Sequence, residues 1–342
     1  MKKTLLIILS LVLCCTACHK KEKVATPKLT PKQESQVKNL EINIVRYDQM
    51  LFNLDPNNLA AGVESLYGKV PEILIAKDCW KDAKMMKSLK GYLTDQTIKD
   101  IYKETQKQYP NLNDLEQQLS EAFKIYLTHF PDDTLPQIYA MVSGLDFSIP
   151  SAWGYGNSMF INLDMYLGKD YKYYEYAGMP KFVSARCTRN HIPTDCFTKV
   201  MAYRHLPDKT LVTLLDNMIY EGKKLFLTQT MFPNASKQDI IGYDNDKYNW
   251  IVQHEGQVWQ FFIEKNLLYS KDEDAIRRFI DETPFTRDFG NNSPGRAGAY
   301  LGWRIIQSYM KQHPEITLAE IMSNPNAQKI LTESFYKPSL KK

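Results

Sequence analysis

The chain has 342 residues, 44% of them hydrophobic and 12% aromatic, enough for a packed body of one large domain or two ordinary ones. Its formal charge of +4 is too small to argue for nucleic acid, and part of it sits in an N-terminal segment holding Lys20, Lys21, Lys23, Lys28 and Lys32. After residue 18 no apolar stretch approaches the length of a membrane-spanning helix, so the body is expected to be soluble.

The first element is an export signal. Met1-Lys2-Lys3 gives a positive start, Leu5 to Leu13 is almost continuously apolar, and Thr16-Ala17 supplies small residues directly before Cys18. As a helix the apolar run reaches only ~15 Å against a hydrocarbon core of ~30 Å, so it cannot serve as a spanning anchor. A cysteine at the cleavage point is what a lipoprotein signal peptidase reads. Residues 1–17 are therefore expected to leave, and Cys18 to carry acyl chains. Residues 18–38 are rich in Lys, Glu, Pro, Thr, Ser and Gln, and such a segment is expected to be a flexible tether. It opens on basic His19-Lys20-Lys21, without the acidic residues that mark some lipoproteins for surface display. An outer-membrane lipoprotein facing the periplasm is the expectation.

The globular body is expected over 39–338, with a short tail at 339–342. Glu41 to Tyr47 alternates as a strand. Asp55-Pro56 marks a turn, and helices follow over about 57–67, 82–92, 95–108 and from Asn113 to His129, the last stopped by Pro131. Strands are expected over Pro136 to Val142 and Met159 to Leu163, with Ser151 to Asn157 between them as a glycine-containing loop. From about 195 the chain turns mostly helical. Asp208 is a plausible N-cap for a helix to about Thr228, whose Leu211, Leu214, Leu215, Met218, Ile219, Leu225 and Phe226 form one stripe. Further helices cover about 245–267, 272–280 and 296–311. In the last, Gly298 and Gly302 stand four apart and would let a neighbour approach closely. The fold class is thus α+β and mostly α-helical, with a small sheet near the middle of the sequence.

Six cysteines are few. Cys14 and Cys15 leave with the signal. Cys187 and Cys196 could pair, closing a loop of about ten residues for roughly 2.7 kcal/mol, or stay as two buried thiols; Cys79 is unpaired either way.

Three groups could carry chemistry. His254-Glu255 lies inside an expected helix, but a zinc-peptidase helix needs His-Glu-x-x-His, and the fifth position here is Val258. His254 shares its face with Ile251, Val258 and Phe261, the setting of a core histidine. His205 stands just before the helix expected from Asp208 to about Thr228, and Glu221 lies within it. Glu221 shares the Leu214, Met218 and Leu225 face, so its carboxylate needs a hydrogen-bonding partner, a raised pKa or a metal. Finally, Tyr166, Tyr171, Tyr173, Tyr174 and Tyr176 form either a sugar-binding platform or the packing of a long loop. No nucleophile elbow or phosphate loop is present, and no CxxC pair lies in the body beyond Cys18.

Several long segments, spread over nearly the whole body, resemble the gliding-motility lipoprotein GldB family of the Bacteroidetes. They are Arg46-Tyr47-Asp48-Gln49-Met50-Leu51-Phe52-Asn53-Leu54-Asp55 and Leu163-Asp164-Met165-Tyr166-Leu167-Gly168-Lys169-Asp170-Tyr171-Lys172-Tyr173-Tyr174. Asp281-Glu282-Thr283-Pro284-Phe285 with Ser293-Pro294-Gly295-Arg296, then Gly302-Trp303 and Ser334-Phe335-Tyr336-Lys337-Pro338, complete the set. That family in turn resembles zincin-type peptidases, in which an HExxH helix is followed by one carrying Glu-Gly-x-Ala. Leu214 to Gly222 is similar to the second helix. Met201-Ala202-Tyr203-Arg204-His205 is the stretch most like HExxH, with Met201 and Ala202 where the first histidine and the catalytic glutamate belong. Only His205 and Glu221 remain as ligands in that register.

The resemblance implies a zincin-like single domain on an outer-membrane lipoprotein, serving as a non-catalytic accessory of gliding motility or a related envelope machinery. It implies no cofactor, and as partners the membrane and other envelope or gliding proteins. Two rivals stay open: an active zinc peptidase using His205, Glu221 and His254, which requires the three to converge, and a carbohydrate- or peptidoglycan-binding lipoprotein, which requires several exposed tyrosines beside Trp153 or Tyr155.

Overall fold

A computed structural model describes residues 24–340; the signal and Cys18 lie outside the described residues. The described chain starts with α1 (Pro31–Lys38), β1 (Ile44–Arg46), α2 (Tyr47–Phe52), α3 (Leu59–Leu66), α4 (Ala83–Thr94), α5 (Gln96–Gln108) and α6 (Asn113–His129). The rest of the sheet follows as β2 (Gln137–Met141), β3 (Ala152–Tyr155) and β4 (Ser158–Asn162). Short helices α7 (Lys172–Tyr176), α8 (Lys181–Ser184) and α9 (Ile192–Lys199) lead into α10 (Leu214–Met231), α11 (Lys237–Ile241) and α12 (Asn245–Glu264). The chain closes with α13 (Glu273–Ile280), α14 (Ala297–Gln312), α15 (Leu318–Ser323) and α16 (Ala327–Ser334). The fold is α+β and mostly helical, as expected. None of the described helices is long and apolar enough to cross a membrane.

The sheet is mixed, in the order β1-β2-β4-β3: β1, β2 and β4 run parallel and β3 antiparallel to β4. Side chains alternate across it, as a strand's period of two requires. Ile138, Ala140, Met159 and Ile161 face the main core with α6, α9, α10 and α14. Tyr139 and Phe160 face a second core with Tyr47, Leu51, Val63 and Leu93. The glycine-containing loop expected at 151–157 is in part a strand. Gly156 takes φ 56° at the first position of a two-residue turn, closing the β3–β4 hairpin.

The long helix expected from Asp208 starts later, at Leu214. Thr213 and Asp216 form a reciprocal capping box there, Asp216 N donating to Thr213 Oγ1 and Thr213 N to Asp216 Oδ2. This stronger local stop overrides Asp208. The glycine pattern in α14 does what its spacing suggests. A Cβ on Gly302 would lie 1.7 Å from the Met218 carbonyl oxygen, and one on Gly222 2.3 Å from the Gly302 carbonyl carbon. Backbones of α10 and α14 therefore touch, and no larger residue fits at either position.

The expected flexible tether is corrected where it is described. Thr30 caps α1 through a capping box with Gln33, and Gln33 Nε2 donates to Asp132 Oδ1 just beyond α6. Val24 and Val37 pack on the core, and Ala25 forms a β-bridge with Thr317. Two valines and a capped helix suffice to dock this otherwise polar stretch.

Candidate functional site

A cleft of about 520 Å³ opens between α8, α11, the start of α12 and the loop 281–296. Arg186, His191, Tyr243, Lys247, Glu282 and Arg296 are among its walls. Two of the segments that carry the family resemblance, Glu282-Thr283-Pro284 and Pro294-Gly295-Arg296, line it directly. Gly295 is needed there because a Cβ would lie 2.1 Å from the Thr283 carbonyl oxygen. Arg296 follows in the left-handed region (φ 56°, ψ 31°) and precedes the first turn of α14. A non-glycine residue so placed stores strain of order 1–3 kcal/mol, which its surroundings must hold in place.

What holds Arg296 is a chain of seven charges alternating in sign. Lys199 Nζ donates to Asp195 Oδ2 at 2.8 Å, and Arg186 Nη2 lies 3.4 Å from Asp195 Oδ1. Arg186 Nη1 donates to Glu282 Oε1 at 2.6 Å, and Arg296 Nη1 approaches the same oxygen at 3.8 Å. Arg296 Nη2 then reaches Glu221 Oε2 at 3.2 Å, while Lys224 Nζ donates to Glu221 Oε1 at 2.8 Å. Each carboxylate lies between two cations. Burial opposes ionisation of Asp195, but Lys199 and Arg186 win and hold its carboxyl down at about 2. Tyr166 Oη also donates to Asp195 Oδ2 at 2.8 Å, which ties the tyrosine-rich segment to the same cluster. Gly242, at φ 79°, lets α11 end against the Arg186 guanidinium; a Cβ would lie 2.2 Å from its Nε.

The metal candidates do not converge. His205 Nε2 sits 2.7 Å from Tyr126 Oη and 3.1 Å from Asp133 Oδ2, with its ring stacked on Phe130 near the end of α6. Glu221 is the last carboxylate of the charge chain. His254 Nδ1 is 2.7 Å from the Trp250 carbonyl oxygen, while Glu255 accepts from Tyr300, Arg304 and Tyr336. Among the described residues, no three His, Cys, Asp or Glu side chains are grouped to hold a metal. The register that set Met201 to His205 against HExxH also fails locally. Met201–Arg204 is a 3-10 turn, so it lacks the four-apart face of an α-helix, and Met201 and Ala202 are core residues.

Cys187 and Cys196 do not pair; they are the two buried thiols of the alternative reading. Cys187 Sγ points to Met179 Sδ at 3.6 Å, and Cys196 is fully enclosed on α9. Burial pushes the Cys187 thiol up to about 12 and Cys196 higher still, so neither is a ready nucleophile. Cys79 is also free. The tyrosines mostly pack: Tyr166 and Tyr174 are buried, Tyr171 meets Tyr173 and Tyr174 edge-on, and only Tyr176 is well exposed, at 85%. Trp153 stacks on Phe160 instead of facing a ligand.

Sequence reasoning did not single out Arg186, Asp195 or Lys199. One local signal existed, the four-residue spacing of Asp195 and Lys199 on a helix. Nothing local links them to Glu282 or Arg296, about a hundred positions away.

No curated protein and no solved structure matches this chain. A family model described as gliding motility protein GldB matches residues 30–338, nearly all of the body. The match names no peptidase, and the zincin likeness gains nothing from it. The chain belongs to the GldB family of gliding motility proteins.

Proposed function

We propose that the protein is a lipoprotein acylated at Cys18, held at the periplasmic face of the outer membrane, and a non-catalytic accessory of the gliding machinery. Its cleft takes part of another protein of that machinery, on a scaffold that lacks the zincin-type set of ligands and base. One observation carries this reading: every carboxylate of the charge chain is neutralised by two cations. A general base or metal ligand needs a carboxylate free to accept a proton or a cation. Asp195, Glu221 and Glu282 are already committed, and His205 and His254 face other partners.

Replacing Cys18 with serine tests the anchor. The variant is expected in the soluble envelope fraction, and its retention in the membrane fraction would end the lipoprotein reading. Peptide cleavage that disappears with EDTA and returns with zinc would end the non-catalytic one. The carbohydrate-binding alternative finds no support in the ring geometry, because Tyr166 and Tyr174 are buried, Tyr171 packs edge-on against Tyr173 and Tyr174, and Trp153 stacks on Phe160.

A further inference from the structure

The N-terminal segment docks at the end of the body opposite the cleft. Two helices fix this. Arg296, in the cleft, immediately precedes α14, a helix of 16 residues and so ~24 Å long. Just past its other end, Thr317 forms the β-bridge with Ala25. Helix α6 tells the same story. Near its start, Asp114 accepts from Arg189, whose neighbours Arg186 and His191 line the cleft. At its end, 17 residues or ~26 Å away, the buried His129 ring is hydrogen-bonded to the Ala25 backbone. Gln33 on α1 meets Asp132 at this same pole.

Val24 stands only six positions beyond Cys18. Six residues span at most ~21 Å, whereas a loose tether from 18 to 38 would have allowed ~70 Å. From these distances we infer that the anchored protein stands on the bilayer in one orientation. Its lipid-facing surface is the pole formed by the ends of α6 and α14 and the start of α15, and the cleft is held away from the lipid. The occupant of that pole is the headgroup surface itself, because the lipidated residue cannot lie further from it than the short chain allows. The basic His19, Lys20, Lys21 and Lys23 in that chain suit a phosphate-bearing surface. The cleft then meets a partner projecting into the periplasm, and not a lipid of the same leaflet.

This inference rests on acylation at Cys18, and the test separates the two. The full lipidated chain is placed on phosphatidylethanolamine–phosphatidylglycerol vesicles containing a headgroup energy-transfer acceptor. A fluorescent non-natural residue is introduced either at Glu315, exposed at the anchored pole, or at Asn292, exposed in the loop beside the cleft. Transfer is expected to be roughly twofold higher from position 315, as a ~24 Å difference in height implies. Equal transfer, or higher transfer from 292, overturns the orientation while leaving the anchor intact. Lengthening the chain directly after Cys18 with about twenty Gly/Ser residues should abolish the contrast; a contrast that survives overturns the inference. A Cys18→Ser chain that stays on the vesicles contradicts the anchor itself.

Discussion

Arg296 Nη2 lies 3.2 Å from Glu221 Oε2, and that contact joins the middle of α10 to the beginning of α14 at the base of the cleft. It also anchors a backbone held at positive φ. Arg296→Met should therefore destabilise the fold by about 3 kcal/mol, because Glu221 and Glu282 each lose one of two cations. Arg296→Gly should be less damaging, since glycine relieves the left-handed strain while losing the same pairs. Urea unfolding of the two variants checks the order.

Gly302→Ala should cost at least about 2 kcal/mol, and Gly302→Val should prevent folding, because the new Cβ would overlap the Met218 carbonyl. Gly68→Ala provides the contrast. Its Cβ would meet nothing within 4 Å, so its only penalty is the positive φ of 77°. Thermal melts of both alanine variants test the ranking.

Acid should weaken the protein in two windows. Burial depresses the His129 imidazole to about 4 in the folded state, against 6.5 unfolded. A base with a depressed folded pKa favours the neutral form, so its contribution is complete above 6.5 and is lost as pH falls towards 4. Asp195 is held at about 2 against 3.8, so its contribution is present above 3.8 and disappears as pH falls through about 2. Denaturation midpoints against pH should fall in both windows, and His129→Phe should flatten only the upper one.

Much of this architecture was legible in the sequence, and what was not shares a cause. Helix α6 begins and ends where its pattern and Pro131 place it, and β2 and β4 lie within a residue of the strands expected there. These elements are set by local chemistry. The order of residues 24–38 was hidden because it depends on Val24 and Val37 packing on the core, Gln33 meeting Asp132 and Ala25 pairing with Thr317, contacts between distant segments. The charge chain was hidden for the same reason: Asp195, Glu221, Glu282 and Arg296 come from four separate elements, and no spacing rule connects them. Strand β3 was missed because Gly154 and Gly156 imitate a loop. Gly154 is small for another reason, since a Cβ there would lie 2.8 Å from Val200 Cγ1.

The docked N-terminal segment gives a protease prediction. Brief trypsin treatment should cut slowly at Lys32 and Lys38, which belong to the capped and packed α1. Thr30→Ala removes the capping box and should bring cutting at Lys32 forward, with a loss of about 1 kcal/mol confined to this helix.

The cleft is proposed to bind without hydrolysing, since the carboxylates of its charge chain, Asp195, Glu221 and Glu282, are already paired with cations. Metal content tests this most directly. The protein, purified in its lipidated form without chelators and then analysed by elemental mass spectrometry, is expected to contain well under one zinc per chain. Stoichiometric zinc, retained through dialysis and lost on Glu221→Gln, would contradict the account.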